Sequence, residues 1–299
     1  MNHSHSAAGE HARPLLWAVL LSAVLLVVEL GAGLLSNSLA LMADAGHLFA
    51  DVSGMLLSLA AVWIAARPRN TSRTFGLYRL EILAAAANAI LLLGIAAFVL
   101  YEALRRFADP PEVQSGIVVA VALLGLIANL VSIRLLSAGR STSLTIRGVY
   151  LEVVGDLLGS VSVLVAGLVI LTTGWHQADA VASIVVAILI VPRTVALLRD
   201  SMDVLLEATP KGVDLAVVEE HILEAPGVKE VHDLHAWTIT SGMNVVSAHV
   251  VLTETGQPGD VLDYLASCLS DDFDINHSTF QLETPEHVTW EARSAQPRH

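Results

Sequence analysis

The sequence predicts an α-helical membrane protein with six transmembrane helices, followed by a C-terminal α+β cytoplasmic domain of order αββαβ. Three observations carry that expectation. The 299 residues are 54% hydrophobic, with mean hydropathy +0.64, against about 45–50% apolar in soluble domains. The excess lies before about residue 200, in repeated apolar runs of roughly 20 residues, the length at which a helix spans a bilayer. Charge divides at the same point: residues 1–200 hold 12 arginines and 12 acids, whereas residues 201–299 hold 17 acids and 4 bases. A neutral membrane part thus precedes an acidic soluble tail that repels nucleic acid and attracts cations.

The first 14 residues, MNHSHSAAGEHARP, show no cleavable signal pattern. They read as a cytoplasmic tail before a retained span. Within a membrane domain of 15–200, spans are expected at about 15–35, 39–65, 80–104, 114–136, 148–173 and 177–197. Arg67, Arg69, Arg73 and Arg79 flank the second loop, and Arg134, Arg140 and Arg147 the fourth. The first and fifth loops have no Lys or Arg, and only Arg105 and Arg106 lie on that side. Because positive loops stay inside, both termini are expected in the cytoplasm and the protein in the inner (plasma) membrane.

Residues 201–209 read as a linker and 210–285 as the soluble domain, with a tail over 286–299. Val213 to Glu224 has helical period, 227–239 and 243–252 alternate as strands around Ser241-Gly242, Asp260 to Leu269 is helical, and 277–283 is a third strand. The single Cys268 excludes an internal disulfide and a multi-Cys zinc site, and reads as a small packed residue.

The chemistry concentrates in LMADAGHLFADVSG (41–54). Asp44, His47 and Asp51 share one helical face, and His47 and Asp51 are one turn apart, about 6 Å along the axis. Glu152 and Asp156 repeat the i,i+4 pattern in the fifth span. Ionisable residues at membrane depth are costly and mark ion pathways. Two such pairs provide four ligands, the number in a tetrahedral divalent site. One imidazole with three carboxylates suits Zn2+ and is oxygen-rich enough to take Mn2+, Co2+ or Cd2+. Every ligand can be protonated, so binding expels protons and offers a route to metal/proton exchange. Asp44 reads as a partner of the ligands or a helix-start residue. Asn88 and Asn129 read as interhelical polar contacts, a role open to Glu29 and Asp179 as well.

A second cluster is expected in the soluble domain. His232 and His249 lie on adjacent strands, Glu283 ends the third strand, and His277 shares its face by alternation. His235 should point away from His232 and pack against Trp237. The N-terminal His3, His5 and His11 read equally as weak metal capture or as part of a disordered tail. Two other classes compete with transport. A membrane sensor would bind metal without moving it, although a soluble site would serve that purpose at lower cost. An intramembrane metalloenzyme would need an open coordination position, and HExxH is absent.

Together, SLALMADAGHLFAD, RTFGLYRLEILAAAANA, YLEVVGDLLGSV, GVKEVHDLHAW and HSTFQLE resemble the cation diffusion facilitator family over nearly the whole chain, most closely its bacterial zinc, cobalt and cadmium exporters. The resemblance implies a homodimer with six spans, a metallochaperone-like cytoplasmic domain, and metal efflux against protons by alternating access. It implies a transport site at His47, Asp51, Glu152 and Asp156, and a regulatory Zn2+ site at His232, His249 and Glu283, with His277 as a further candidate. Two departures stand out: Glu152 replaces the His of most zinc-selective members, and the loop SAGRSTSLTIRG contains no His. Arg79 matches a basic position that pairs with an acid, here Glu207 or Asp203.

Overall fold

The computed structural model describes residues 5–65, 71–72, 74–137, 144–275 and 277–287. His3, Arg67, Arg69, Arg73, Arg140 and the tail beyond residue 287 lie outside them, as do the side chains of His5, His11 and Arg147. The chain divides into two compact units: 1–60 with 84–198, and 61–83 with 199–299.

Six long helices come first: α1 (His5–Ser36), α2 (Leu39–Ala65), α3 (Arg79–Ala108), α4 (Ser115–Ser137), α5 (Leu144–Thr173) and α6 (Gln177–Leu205). Among the described residues, α3, α4, α6 and Val149–Thr173 of α5 are long and apolar enough to cross a membrane; Leu20–Ser36 is a shorter apolar helix. The first unit's core is rich in alanine and valine, including Ala40, Ala43, Ala103, Val118, Val163 and Ala182. Such small side chains let helices approach closely where lipid supplies no hydrophobic drive. α1 begins at His5, inside the expected tail, and α3 and α6 run well past the apolar pattern at their C-terminal ends. Arg106 Nε donates to Glu102 Oε1 at 3.0 Å, one turn back, at the end of α3, where cations favour the helix dipole. α6 continues to Leu205, through the first half of the expected linker, before Glu207 turns the chain at φ 58°.

Asp179 acquires a structural role. Its carboxylate accepts from Ser38 Oγ at 2.5 Å, Leu39 N at 2.7 Å and Ala40 N at 3.4 Å. It thereby satisfies the orphan amides at the start of α2, the helix that carries His47 and Asp51. Asn129 Nδ2 donates to Ser160 Oγ at 3.2 Å, the interhelical contact expected of it.

The second unit contains α7 (Leu215–Leu223), β1 (Val228–Thr240), β2 (Met243–Leu252), α8 (Pro258–Phe273) and β3 (His277–Glu283). This is the αββαβ order expected. The sheet runs β1-β2-β3, with β1 antiparallel and β3 parallel to β2. Val218, Ile222, Val261, Leu265 and Leu269 of the helices pack on Val246, Ala248 and Val250 of β2. α8 is longer than its apolar period because Pro258 suits a first helical turn and Asp274, left-handed at φ 53°, closes its end. In the same unit, Arg79 Nη2 donates to Glu207 Oε1 at 2.9 Å, so Glu207 is its partner.

Candidate metal centres

In the first unit, α2 and α5 bring His47, Asp51 and Asp156 together. Nε2 of His47 lies 3.0 Å from Asp156 Oδ1 and 3.4 Å from Asp51 Oδ2. One ligand atom from each residue falls within 4.8 Å of the others. Nitrogen and oxygen ligands about 2.0–2.2 Å from a tetrahedral ion stand roughly 3.4 Å apart, so small shifts would admit a metal. His47 and Asp156 are buried, at 7% and 6% exposure. They border a cavity of about 160 Å3 that Asp44, Gly155, Gly159 and Arg193 also line. Asp44 lines the same cavity as His47 and Asp156 and packs beside Gly159, where a Cβ would meet its Oδ1 at 3.2 Å.

Glu152 is not gathered with the other three. Its Oε1 faces Arg193 Nη2 at 3.4 Å. Arg193 is the functional candidate that reading the sequence missed. A lone arginine inside the run 177–197 was the signal that could have found it.

Glu29 is 1% exposed, and its Oε2 has no hydrogen-bond partner among the described residues. Its other oxygen and Ser160 Oγ both sit beside Gly125, where a Cβ would lie 3.2 Å from each.

In the second unit, the pairing of His232 with His249 places their rings 5.1 Å apart. Glu283, 3% exposed, lies behind both: Oε1 is 2.9 Å from His249 Nδ1 and Oε2 is 3.4 Å from His232 Nε2. Gln281 Nε2 donates to Glu283 Oε1 at 2.7 Å and fixes the carboxylate. Two imidazoles and a carboxylate on a rigid sheet form a second metal-competent group.

His277 does not join it. It lies six positions before Glu283 on β3, about 20 Å at strand rise, and its ring packs edge-on against Phe75 instead. His235 also departs from expectation. A bulge in β1, with Asp233 left-handed at φ 54°, leaves His235 opposite Ser247. Ser247 is two residues from His249 on β2, so His235 lies on the same face as His232. Asp233, also missed, accepts from His235 Nε2 at 3.0 Å and lies 3.9 Å from His249 Nε2. The His235 hydrogen bond holds its carboxyl below the ordinary range.

The cation efflux transmembrane domain family matches residues 15–206, and the cation efflux protein cytoplasmic domain family matches residues 210–285. The chain belongs to the cation diffusion facilitator family. It is 47% identical to the metal cation efflux system protein CzcD of Cupriavidus metallidurans, over 94% of this chain and 89% of that one. It is 40% identical to the zinc transporter ZitB of Escherichia coli, over 95% and 93%. It is 36% identical to a cadmium, cobalt and zinc/H(+)-K(+) antiporter of Bacillus subtilis, over 100% and 97%. The protein is a divalent metal cation efflux transporter, and its family is a class of transporters rather than of enzymes.

Proposed function

We propose that the protein exports Zn2+ as its main cargo across the inner membrane in exchange for protons. It acts as a homodimer of six-span protomers with both termini in the cytoplasm. The carrying observation is the meeting of His47, Asp51 and Asp156 from two helices inside an apolar bundle. A borderline nitrogen donor beside two carboxylates suits zinc, and Glu152, one turn from Asp156 on the same face, supplies the fourth ligand. The zinc, cobalt and cadmium named for the relatives support the same cargo class.

The ligands themselves provide the coupling. A metal takes the deprotonated forms of all four groups, so loading releases protons and reprotonation favours metal release. Alternating access then needs only that α2 and α5 expose the site to one side at a time. His47 sits on the helix whose start Asp179 caps, so its position along that helix is fixed relative to α6. The cytoplasmic group at His232, His249 and Glu283 lies in the domain matched as cytoplasmic. It therefore binds regulatory Zn2+ rather than cargo in transit.

The test is initial uptake into sealed proteoliposomes carrying an imposed pH gradient, metal by metal. Zinc should enter fastest, with cobalt, cadmium and manganese slower, and dissipating the gradient should slow every metal. Zinc uptake indifferent to the gradient contradicts antiport, and protein that binds zinc without any uptake contradicts transport.

A further inference from the structure

Arg193 is the residue that the metal chemistry leaves over. It follows Pro192 on α6 and lines the same cavity as Asp44, His47 and Asp156. Among the described residues lining that cavity, it is the only lysine or arginine. Its Nη2 lies 3.4 Å from Glu152 Oε1. Gly155 makes room for it, since a Cβ there would stand 2.8 Å from Nη1. α5 therefore leaves room for this guanidinium at Gly155 and sets an acid beside it at Glu152. An arginine guanidinium is a fixed cation, here set beside the acid that completes the proposed metal shell.

A divalent ion and a guanidinium repel each other, and both attract the same carboxylate. We propose that Arg193 is a tethered counter-cation of the transport site. It competes with the metal for Glu152, weakening binding enough that the ion can leave. The Glu152–Arg193 pair is only partly buried, so it is less tightly held than the buried His47–Asp156 contact. This role is one of positioning, exerted through Glu152. It rests on reading His47, Asp51, Glu152 and Asp156 as the transport site.

The test uses full-length protein, with zinc binding titrated in a His232→Ala/His249→Ala background so that only the membrane site reports, and with zinc flux measured in proteoliposomes. Arg193→Gln should tighten zinc binding about tenfold and lower maximal flux, a coupling within the range of contacting charged residues. Arg193→Lys keeps the charge and should stay within about twofold of the parent. With Glu152→Gln already present, Arg193→Gln should change affinity clearly less than in the parent, because the contested carboxylate is gone and only the direct repulsion between the two cations remains. Arg193→Met, which gives the cavity an apolar wall, is a second variant with the same expectation should Arg193→Gln fold poorly. Unchanged or weakened affinity on removing the charge, or equal shifts with and without Glu152, overturns the proposal. Asp51→Ala in the same assays separates the two ideas. Persistent flux there sinks the site itself, whereas lost flux with an indifferent Arg193→Gln sinks only the role of Arg193.

Discussion

The two metal-competent groups use the same chemistry on different supports. In the first unit, His47 and Asp51 come from one helix and Asp156 from another. A change in the relation of those helices would open or close that group. In the second unit, His232, His249 and Glu283 stand on three hydrogen-bonded strands, and their spacing is locked by the ladder. A site that must pass its ion onward benefits from ligands on separable elements. A site that only senses metal benefits from ligands on one rigid sheet. The groups also differ in their acids. The sheet group has one carboxylate, buried and fixed by Gln281, whereas the helical group has two, Asp156 buried and Asp51 partly exposed, with Asp44 lining the same cavity as Asp156.

The largest expected effect is at the helical group. Asp51→Ala or Asp156→Ala leaves an incomplete shell with uncompensated partners. Either should weaken metal binding about a hundredfold or more and abolish flux, while the protein still inserts. Initial zinc uptake at matched protein levels measures this, and near-wild-type rates in both variants would break the comparison. A smaller effect is expected at the sheet group. His232→Ala with His249→Ala should lower the metal bound per protomer and shift the zinc concentration giving half-maximal flux, while some maximal flux survives. Metal analysis and a flux titration read the two quantities separately.

Glu152→His should act more narrowly. Imidazole is a softer ligand than carboxylate and cannot pair with Arg193 as an anion. Zinc should be favoured more strongly over manganese, the harder ion, and over cadmium, the larger one, with zinc flux itself retained. Rates for the four metals check this, and an unchanged ranking removes Glu152 from the ligand set. The smallest effect is at Arg79→Gln. The lost pair with Glu207 is partly exposed, so stability should fall by no more than about 1 kcal/mol. Thermal unfolding measures it, and a large loss would show that the contact organises far more than its exposure implies.

How much of each group could be read from the sequence follows from its support. Helical spacing is local, so His47 with Asp51 and Glu152 with Asp156 were visible as pairs. Their convergence was visible only as an expectation of two matching faces. The turn of Glu152 toward Arg193 was not visible, because it depends on a side chain of α6 that no local pattern ties to α5. Asp179 could be recognised as a costly polar residue, but its task lies at the start of α2, 140 positions away. The sheet group depends on register. His232, His249 and Glu283 do come together across the sheet, but counting by twos failed at His235, where the bulge at Asp233 resets the alternation. The same counting put His277 on the right face but said nothing of its distance along the strand. The fold order was legible in both units, since hydropathy and period changed together near residue 200.

The central claim is that the helical group moves the metal and the sheet group only binds it. The most direct measurement sets zinc flux beside bound zinc for two paired variants, Asp51→Ala/Asp156→Ala and His232→Ala/His249→Ala, in the same proteoliposome preparation. The first pair should carry no flux yet retain the zinc held by the second unit. The second pair should hold less zinc yet still transport. Flux that survives in the first pair, or vanishes in a correctly folded second pair, contradicts the account.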